Sequence, residues 1–174
     1  MTGNLGTCRT TPPGYAAGSD VCTLSLLGYD PVKYHPGRAP LEAAAMNLAL
    51  DPRTDWVFRC NLVTIVDGIM RDHSAGHIGD REARVLLDAL RRQLVPDAAT
   101  TPLTFHPGVS YRHLLTIRGM DFTGLKTTPP HDIPDQPIAG YLPKGQNSQF
   151  ITSLITLSHD VLKNHEVNLT RRDL

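Results

Sequence analysis

The chain has 174 residues, and its 17 Lys and Arg balance 17 Asp and Glu, so its formal net charge is zero. That length is enough for one compact domain with a hydrophobic core. The neutral balance argues against a dedicated nucleic-acid binder, and no apolar run approaches the roughly 20 residues of a membrane span. Cys8, Cys22 and Cys60 form no CxxC pair, which favours a reducing compartment. We therefore expect a soluble, cytoplasmic protein that binds neither nucleic acid nor a membrane.

The first part of the chain has little regular pattern. Residues 1–20 are rich in Gly, Thr and Pro and show no hydrophobic periodicity, which predicts an extended or loop segment. A short apolar stretch, VCTLSLL, follows and ends at the turn signal GYDP. The pattern then predicts a helix over Leu41–Leu48 with Pro40 at its first position, where the missing N–H costs nothing.

The middle of the chain alternates strand and helix signals. Residues Trp56–Val66 are rich in β-branched and aromatic side chains and predict a strand, and Asp67–Gly68 predicts a hairpin that returns over Ile69–Asp72. The helix predicted over Asp80–Leu94 carries its apolar residues on one side and its charges on the other. We assign no functional role to the arginines of its polar side, namely Arg81, Arg84, Arg91 and Arg92.

The last third contains another strand pair and a long irregular stretch. Leu103–Phe105 and Tyr111–Ile117 predict paired strands, and Ser148–Leu162 predicts a final helix. Residues 118–145 are turn-rich over a length that suggests function. Strands that arrive in hairpins with helices between them predict an α+β fold. We expect an antiparallel or mixed sheet with helices packed on one face.

Ser19 lies in Gly18–Ser19–Asp20, where a loop leads into an apolar segment. A serine in this position can act as a nucleophile if a base or a metal lowers the pKa of its hydroxyl. The same pattern also fits a capping serine or an ordinary turn, and no GxSxG motif surrounds it.

A second candidate site is the segment RDHSAGHIGD, which contains Asp72, His73 and His77. It has no HExxH motif, so the sequence does not indicate a zinc protease site. A loop between a strand and a helix could hold an anion with His77 and the first backbone N–H groups of the helix. It could equally be a polar loop that caps the helix at Asp80.

Further candidates are basic residues outside the solvent-facing helix. Arg59 and Arg112 fall within predicted strands and Arg38 precedes a helix; a guanidinium suits a carboxylate or phosphate, although strand alternation could simply direct it to water. His131, next to Asp132 after two prolines, could act as an acid or base, contact a substrate, or belong to an exposed turn.

Five segments together resemble the cofactor-independent phosphoglycerate mutases of the archaeal type, which belong to the alkaline phosphatase superfamily. They are GSDVCTLSLLGYDPVKYHPGRAPLEA, FRCNLVT, DHSAGHI, PPHDI and PIAGYLPKG. The resemblance covers nearly the whole chain. Related bacterial mutases have Ser-Glu-Val where this chain has Ser19–Asp20–Val21, and some relatives have Arg-Arg-Ala-Gly-Arg where it has residues 73–77.

The resemblance implies an activity and roles for particular residues. The family interconverts 3-phosphoglycerate and 2-phosphoglycerate through a phosphoserine, with divalent metal ions (Mn, Mg, Zn or Co) bound to the serine. By resemblance Ser19 is the nucleophile and a metal ligand. The substrate contacts implied are Arg59, His77 and Arg112, together with Arg38, Asp72 and His131.

The resemblance also implies a division of the chain. Residues 1–30 would belong to the metal and phosphotransfer domain, residues 31–145 to an inserted substrate-binding domain, and residues 146–174 to a helix that returns toward the metal domain. Family members carry further metal ligands in segments before and after these. We therefore expect this chain to hold no metal by itself, to need the metal domain of the same protein as its partner, and to be inactive alone.

Two other functions remain open. The chain could be a non-catalytic binding or interaction module derived from the same domain, or part of a related phosphomonoesterase or phosphotransferase with another small substrate. A mutase requires the further Asp and His segments of the metal domain, whereas a binding module does not. A panel of substrates offered to the full-length enzyme would separate the phosphomonoesterase or phosphotransferase from the mutase.

Overall fold

A computed structural model describes residues 9–15, 17–97 and 99–171, so Cys8 lies outside the described residues. The chain forms two compact units, Met1–Met46 and Asn47–Leu174. The predicted boundaries after residues 30 and 145 assign parts of the chain to a metal domain and to a substrate-binding domain. The two compact units do not test that assignment, which stays a prediction.

The described part of the first unit contains three short helices: α1 (Ser19–Leu26), α2 (Pro31–Tyr34) and α3 (Arg38–Ala45). The predicted helix over Leu41–Leu48 is therefore shifted toward the N-terminus by three residues. Pro40 is its third residue and remains within the first turn, where the helix needs no backbone donor from it.

Among the residues that the structure describes, the strands and the longer helices lie in the second unit. The strands are β1 (Asp55–Asn61), β2 (Thr64–Val66), β3 (Ile69–Asp72), β4 (Leu103–Val109) and β5 (Arg112–Arg118). The helices are α4 (Asp80–Leu94), α5 (Ser148–Leu162) and α6 (Glu166–Thr170), and short 3-10 turns cover Pro130–Asp132 and Ile138–Tyr141. Helices with antiparallel strands confirm the predicted α+β fold, and α4 and α5 have the predicted bounds.

Three strands form an antiparallel sheet in the order β1–β5–β4, and β2 and β3 form a separate hairpin. The prediction of one strand over Trp56–Val66 is wrong, because this stretch is divided at Leu62 and Val63. Leu62 is buried and its N–H donates to the carbonyl of Tyr111 at 3.0 Å, after which the chain leaves the sheet. The hairpin turn at Asp67 and Gly68 is confirmed, and both residues have the positive φ such a turn requires.

The two faces of the sheet differ in character. Phe58 and Phe105 both pair with Leu115, and these rings lie on the face that packs with α4. Because side chains alternate along a strand, Arg59 and Arg112 belong to the opposite face. Arg112 is exposed and Arg59 is half-buried there, so the alternation removes both arginines from the main core.

The two described cysteines, Cys22 and Cys60, both lie against other side chains. Cys60 packs against the core, and burial raises the pKa of its thiol to about 11, so the thiol stays protonated. Cys22 is half-buried with its Sγ 3.5 Å from the hydroxyl of Thr11. Within the described ranges, none of the helices combines the length and the apolar character that crossing a bilayer requires.

Candidate functional site

Ser19 is the first residue of α1, although the sequence predicts a loop there. It is exposed, and its hydroxyl accepts a hydrogen bond of 3.2 Å from Nη2 of Arg38, the first residue of α3. The first turn of a helix leaves backbone N–H groups without helical partners, and its dipole favours negative charge. A negatively charged group on the Ser19 oxygen would therefore meet a guanidinium and a helix N-terminus together.

Asp20 fixes the guanidinium of Arg38 from the other side. Its carboxylate accepts a 2.6 Å hydrogen bond from Nε2 of His35 and forms a 3.3 Å ion pair with Nε of Arg38. Burial alone would raise the pKa of the Asp20 carboxyl, but His35 and Arg38 outweigh it and lower that pKa. A Cβ atom at Gly18 would lie 2.5 Å from Oδ1 of Asp20, so this arrangement needs glycine at position 18. We call Ser19, Asp20, His35 and Arg38 the acceptor cluster.

The metal ions implied by the resemblance are not matched by these surroundings. Across the described ranges, no group of three or more His, Cys, Asp or Glu side chains could hold a metal ion. Asp20 is already bonded to His35 and to Arg38, whose charge repels a cation. Ser19 is therefore the one predicted ligand here, and the metal requirement stays a prediction.

The segment over residues 72–79 is an ordered loop, which we call the 72–79 loop. Asp72 accepts three hydrogen bonds of 2.7 Å, from the N–H and hydroxyl of Ser74 and from the N–H of Gly76. Ser74 is buried, and its hydroxyl oxygen also accepts from the N–H of His77 at 3.3 Å. Burial would raise the pKa of Asp72, but these donors outweigh it and lower that pKa. Asp72, predicted as a substrate contact, thus uses both oxygens to shape the loop.

The backbone of this loop is strained next to an exposed imidazole. Ala75, Gly76 and His77 have φ values of 50°, 64° and 52°, so three consecutive residues adopt the left-handed conformation. Non-glycine residues pay about 1–2 kcal/mol for it, and such strain persists only where the surroundings impose it. His77 is exposed at the end of this run. The role of His77 as a substrate contact stays a prediction.

The turn between β4 and β5 is fastened to the same loop. The Ser110 hydroxyl donates to the carbonyl of Ile78 at 2.7 Å, and its N–H donates to Oδ1 of Asp80 at 2.6 Å. The two residues that follow Ser110, Tyr111 and Arg112, are thereby held close to the loop.

A series of ring contacts then links three separate segments. The guanidinium carbon of Arg112 lies 4.5 Å from the centroid of the Tyr111 ring. The imidazole of His73 contacts the same ring edge to face, with centroids 6.0 Å apart, and His131 lies 6.2 Å from His73. We call these four residues, His73, Tyr111, Arg112 and His131, the ring cluster. Tyr111 is buried and the other three are exposed, so a buried ring supports a surface rich in cationic and imidazole groups.

Arg59 lies elsewhere on the same sheet face. It is opposite Leu114 in the β1–β5 register, while Arg112 is opposite Asn61. Oδ1 of Asn61 is buried without a hydrogen-bond partner among the described residues. The structure therefore brings Arg112 and His131 together through the ring cluster. The loop that contains Asp72 and His77 is joined to that cluster through His73 and Ser110. Arg59 shares the sheet face of Arg112.

Three residues of the ring cluster and the neighbouring sheet face were not predicted to be functional from the sequence. His73 was noted only as the neighbour of His77, while Tyr111 and Asn61 were not singled out. The strand pattern did contain a signal, because Tyr111 directly precedes an arginine at the end of a hairpin. The contact between His73 and His131, which are 58 residues apart in the chain, had no signal in the local pattern.

Comparison with known proteins identifies the family. Residues 1–168 match the family model described as 2,3-bisphosphoglycerate-independent phosphoglycerate mutase. Proteins with that name from Methanosarcina barkeri and Methanosarcina mazei are 50% and 46% identical, and the match covers 97% of this chain in each case. It covers 41% of either relative, so the chain spans less than half of their length.

A solved structure supports the same relationship. The cofactor-independent phosphoglycerate mutase from Thermoplasma acidophilum matches 90% of this chain and 42% of its own, with a TM-score of 0.61 and 27% identity. The fold, the family model and the curated relatives agree with the resemblance found in the sequence. The chain therefore belongs to the 2,3-bisphosphoglycerate-independent phosphoglycerate mutase family.

Proposed function

We propose that this chain is part of a cytoplasmic, metal-dependent mutase that interconverts 3-phosphoglycerate and 2-phosphoglycerate through a phosphoserine at Ser19. The observation that carries the proposal is the hydrogen bond from Arg38 to the Ser19 hydroxyl at the start of α1. It supplies a fixed positive charge where a phosphoryl group on Ser19 would need one. The names of the curated relatives support the same activity.

The reaction moves a phosphoryl group between two oxygens and needs no oxidant or reductant. The Ser19 oxygen forms a bond to phosphorus while the bond from phosphorus to the 3-hydroxyl oxygen breaks, and the serine proton ends on the released 3-hydroxyl. Glycerate then turns, and its 2-hydroxyl oxygen forms a bond to phosphorus while the bond from phosphorus to the Ser19 oxygen breaks. The proton of that hydroxyl returns to Ser19. Arg38 remains bound to the oxygen that gains and loses the phosphoryl group, and Asp20 with His35 keeps its guanidinium in place.

The ring cluster and the 72–79 loop have the chemistry to bind the anionic substrate. Phosphoglycerate carries a carboxylate and a phosphate, and a guanidinium binds either of them bidentately. Arg112 supplies that group, and His73, His77 and His131 supply imidazole donors on exposed surfaces. We assign these residues, with Arg59, to substrate binding, and Asp72 to the conformation of the loop that presents His77.

The activity is tested in a graft protein, in which this chain replaces the matched region of the Methanosarcina barkeri relative. Conversion of 3-phosphoglycerate is followed by ³¹P NMR, and the phosphorylated residue is identified by mass spectrometry after acid quenching. We expect turnover and phosphate on Ser19. Ser19→Ala should abolish both, while Ser25→Ala, a serine of the same helix, should leave both unchanged.

Other results would overturn the proposal in recognisable ways. Substrate binding without turnover or phosphoserine would indicate a non-catalytic binding module. Release of inorganic phosphate without 2-phosphoglycerate would indicate a related phosphomonoesterase. Full turnover in the Ser19→Ala graft would exclude Ser19 as the acceptor.

A further inference from the structure

Arg171, which directly follows α6, has an almost buried guanidinium that none of the roles above uses. Its side chain is 7% exposed. Nη2 donates to the carbonyl of Ala75 at 2.9 Å and contacts the carbonyl of Gly76 at 3.4 Å, and Nη1 lies 3.8 Å from a carboxylate oxygen of Glu82. The guanidinium thus lies between the 72–79 loop and the first turn of α4.

We propose that Arg171 is a positioning residue, which holds the left-handed run of the 72–79 loop and thereby sets the place of the His77 imidazole. Its relevance to binding rests on the proposed function, in which His77 contacts phosphoglycerate. The two carbonyls that it binds belong to the two residues immediately before His77, and both have positive φ.

The chemistry of the contact fits this role. Burying a guanidinium costs free energy unless its N–H groups are satisfied, so a buried arginine placed on loop carbonyls is well defined in position. One nitrogen, Nη2, contacts the carbonyls of residues 75 and 76 while the other, Nη1, faces Glu82, so the planar guanidinium spans the loop and the first turn of α4. A lysine ammonium is a compact point charge on a flexible stem and does not reproduce that geometry.

The loop is held from two sides that are far apart in sequence. Asp72 accepts the N–H groups of Ser74 and Gly76 from inside the loop, and Arg171 donates to the carbonyls of residues 75 and 76 from the end of α6. Removing Arg171 leaves two carbonyls of the strained run without their donor. We expect the run to relax while the Asp72 turn persists.

The 174-residue chain is compared with Arg171→Ala and Arg171→Lys by NMR, without ligand, using the amide signals of residues 75–77 and the imidazole signals of His77. We expect both variants to shift or broaden these signals while those of β5, and of α4 beyond its first turn, remain. Guanidinium ion at millimolar concentration should restore them in Arg171→Ala only. Arg84→Lys, an exposed arginine of α4, is the matched control and should change nothing.

Titration with 3-phosphoglycerate then separates this proposal from the proposed function. If wild type binds, both variants should bind about tenfold more weakly or worse. Unchanged signals of residues 75–77 in Arg171→Lys, or unchanged affinity despite altered signals, would overturn the positioning role. Failure of the wild-type chain to bind would count against the proposed substrate site, and the ligand-free spectra would still decide whether Arg171 sets the loop. If Arg171→Ala does not fold, Arg171→Lys, which keeps the charge and the apolar stem, decides the same question.

Discussion

The hydroxyl of Ser110 donates a 2.7 Å hydrogen bond to the carbonyl of Ile78, and this contact joins the β4–β5 turn to the 72–79 loop. Ser110 also has a positive φ of 54°, a conformation that turns favour and that strands do not. The contact ties the turn that precedes Arg112 to the loop that contains His77. Three predictions concern this region and its support, and a fourth concerns the acceptor cluster.

Arg112→Ala should weaken binding of 3-phosphoglycerate by about 1–3 kcal/mol, or roughly 5- to 150-fold, because a charge-assisted contact is lost. Its side chain is exposed, so the melting temperature should change little. The measurement is calorimetric titration of the 174-residue chain. Arg81→Ala, an exposed arginine of α4, is the control; equal affinities for both variants would show that Arg112 merely faces solvent.

Asp72→Ala should lower the free energy of unfolding by about 1–3 kcal/mol, because three donors of the loop lose their acceptor. Asp72→Asn should lower it less, since the amide oxygen can still accept the two bonds that Oδ1 receives from Ser74. Urea unfolding followed by circular dichroism gives both values. The ranking would be contradicted if Asn were as damaging as Ala, or if neither variant differed from the exposed control Asp88→Ala.

His113 should make the stability depend on pH. It is 2% exposed and its Nδ1 accepts from the N–H of Gly108, and burial lowers its pKa from 6.5 to about 4, with Asp80 opposing and Arg84 adding to the shift. Between about pH 4 and 6.5 the imidazole of His113 is therefore protonated in the unfolded chain and neutral in the folded chain. The free energy of unfolding is therefore unaffected by His113 above about pH 6.5, where the imidazole is neutral in both states. As the pH falls toward 4, the free energy of unfolding decreases by on the order of 3 kcal/mol in total.

The measurement for His113 is urea unfolding at several pH values between 4 and 7. His113→Asn keeps an acceptor near Gly108 and does not titrate, so its unfolding free energy should have a smaller slope over this range. A slope equal to that of wild type would assign the pH dependence to other groups, such as His106, whose pKa is also lowered by burial.

Gly18→Ala should disturb the acceptor cluster without any backbone penalty. The added Cβ would lie 2.5 Å from Oδ1 of Asp20, so the carboxylate must shift from the position in which it binds His35 and Arg38. In the graft protein we expect phosphoserine formation to slow by about tenfold or more. Gly140→Ala adds a Cβ with no neighbour within 4 Å and serves as the control. Equal rates in the two variants would mean that the Asp20 network does not support Ser19.

Most of the fold could be predicted from the sequence because its signals are local. The apolar face of α4 and the Asp67–Gly68 turn both produced accurate elements. The strand predicted over Trp56–Val66 is too long because apolar residues continue through Leu62 and Val63, where a hydrogen bond from Leu62 to the carbonyl of Tyr111 redirects the chain. That redirection depends on a residue about 50 positions away, and local propensity does not contain it.

The candidate site could be predicted less completely than the fold, because more of its contacts join residues that are distant in the sequence. The resemblance supplied Ser19, Arg112, His77 and His131 as residue types at matched positions, and their roles stay predictions. It gave no indication that Asp72 would use its oxygens on its own loop, or that Arg171 would bind that loop from the end of α6. Those contacts arise from packing between distant segments.

The central claim is that the ring cluster and the 72–79 loop bind phosphoglycerate. We would titrate the 174-residue chain with 3-phosphoglycerate without added metal and follow the side-chain NMR signals of its histidines and arginines. The account predicts saturable shifts at His73, His77, His131, Arg59 and Arg112, and none at the exposed arginines of α4. Shifts confined to α4, or no saturable shift at the ring cluster and the loop, would contradict it.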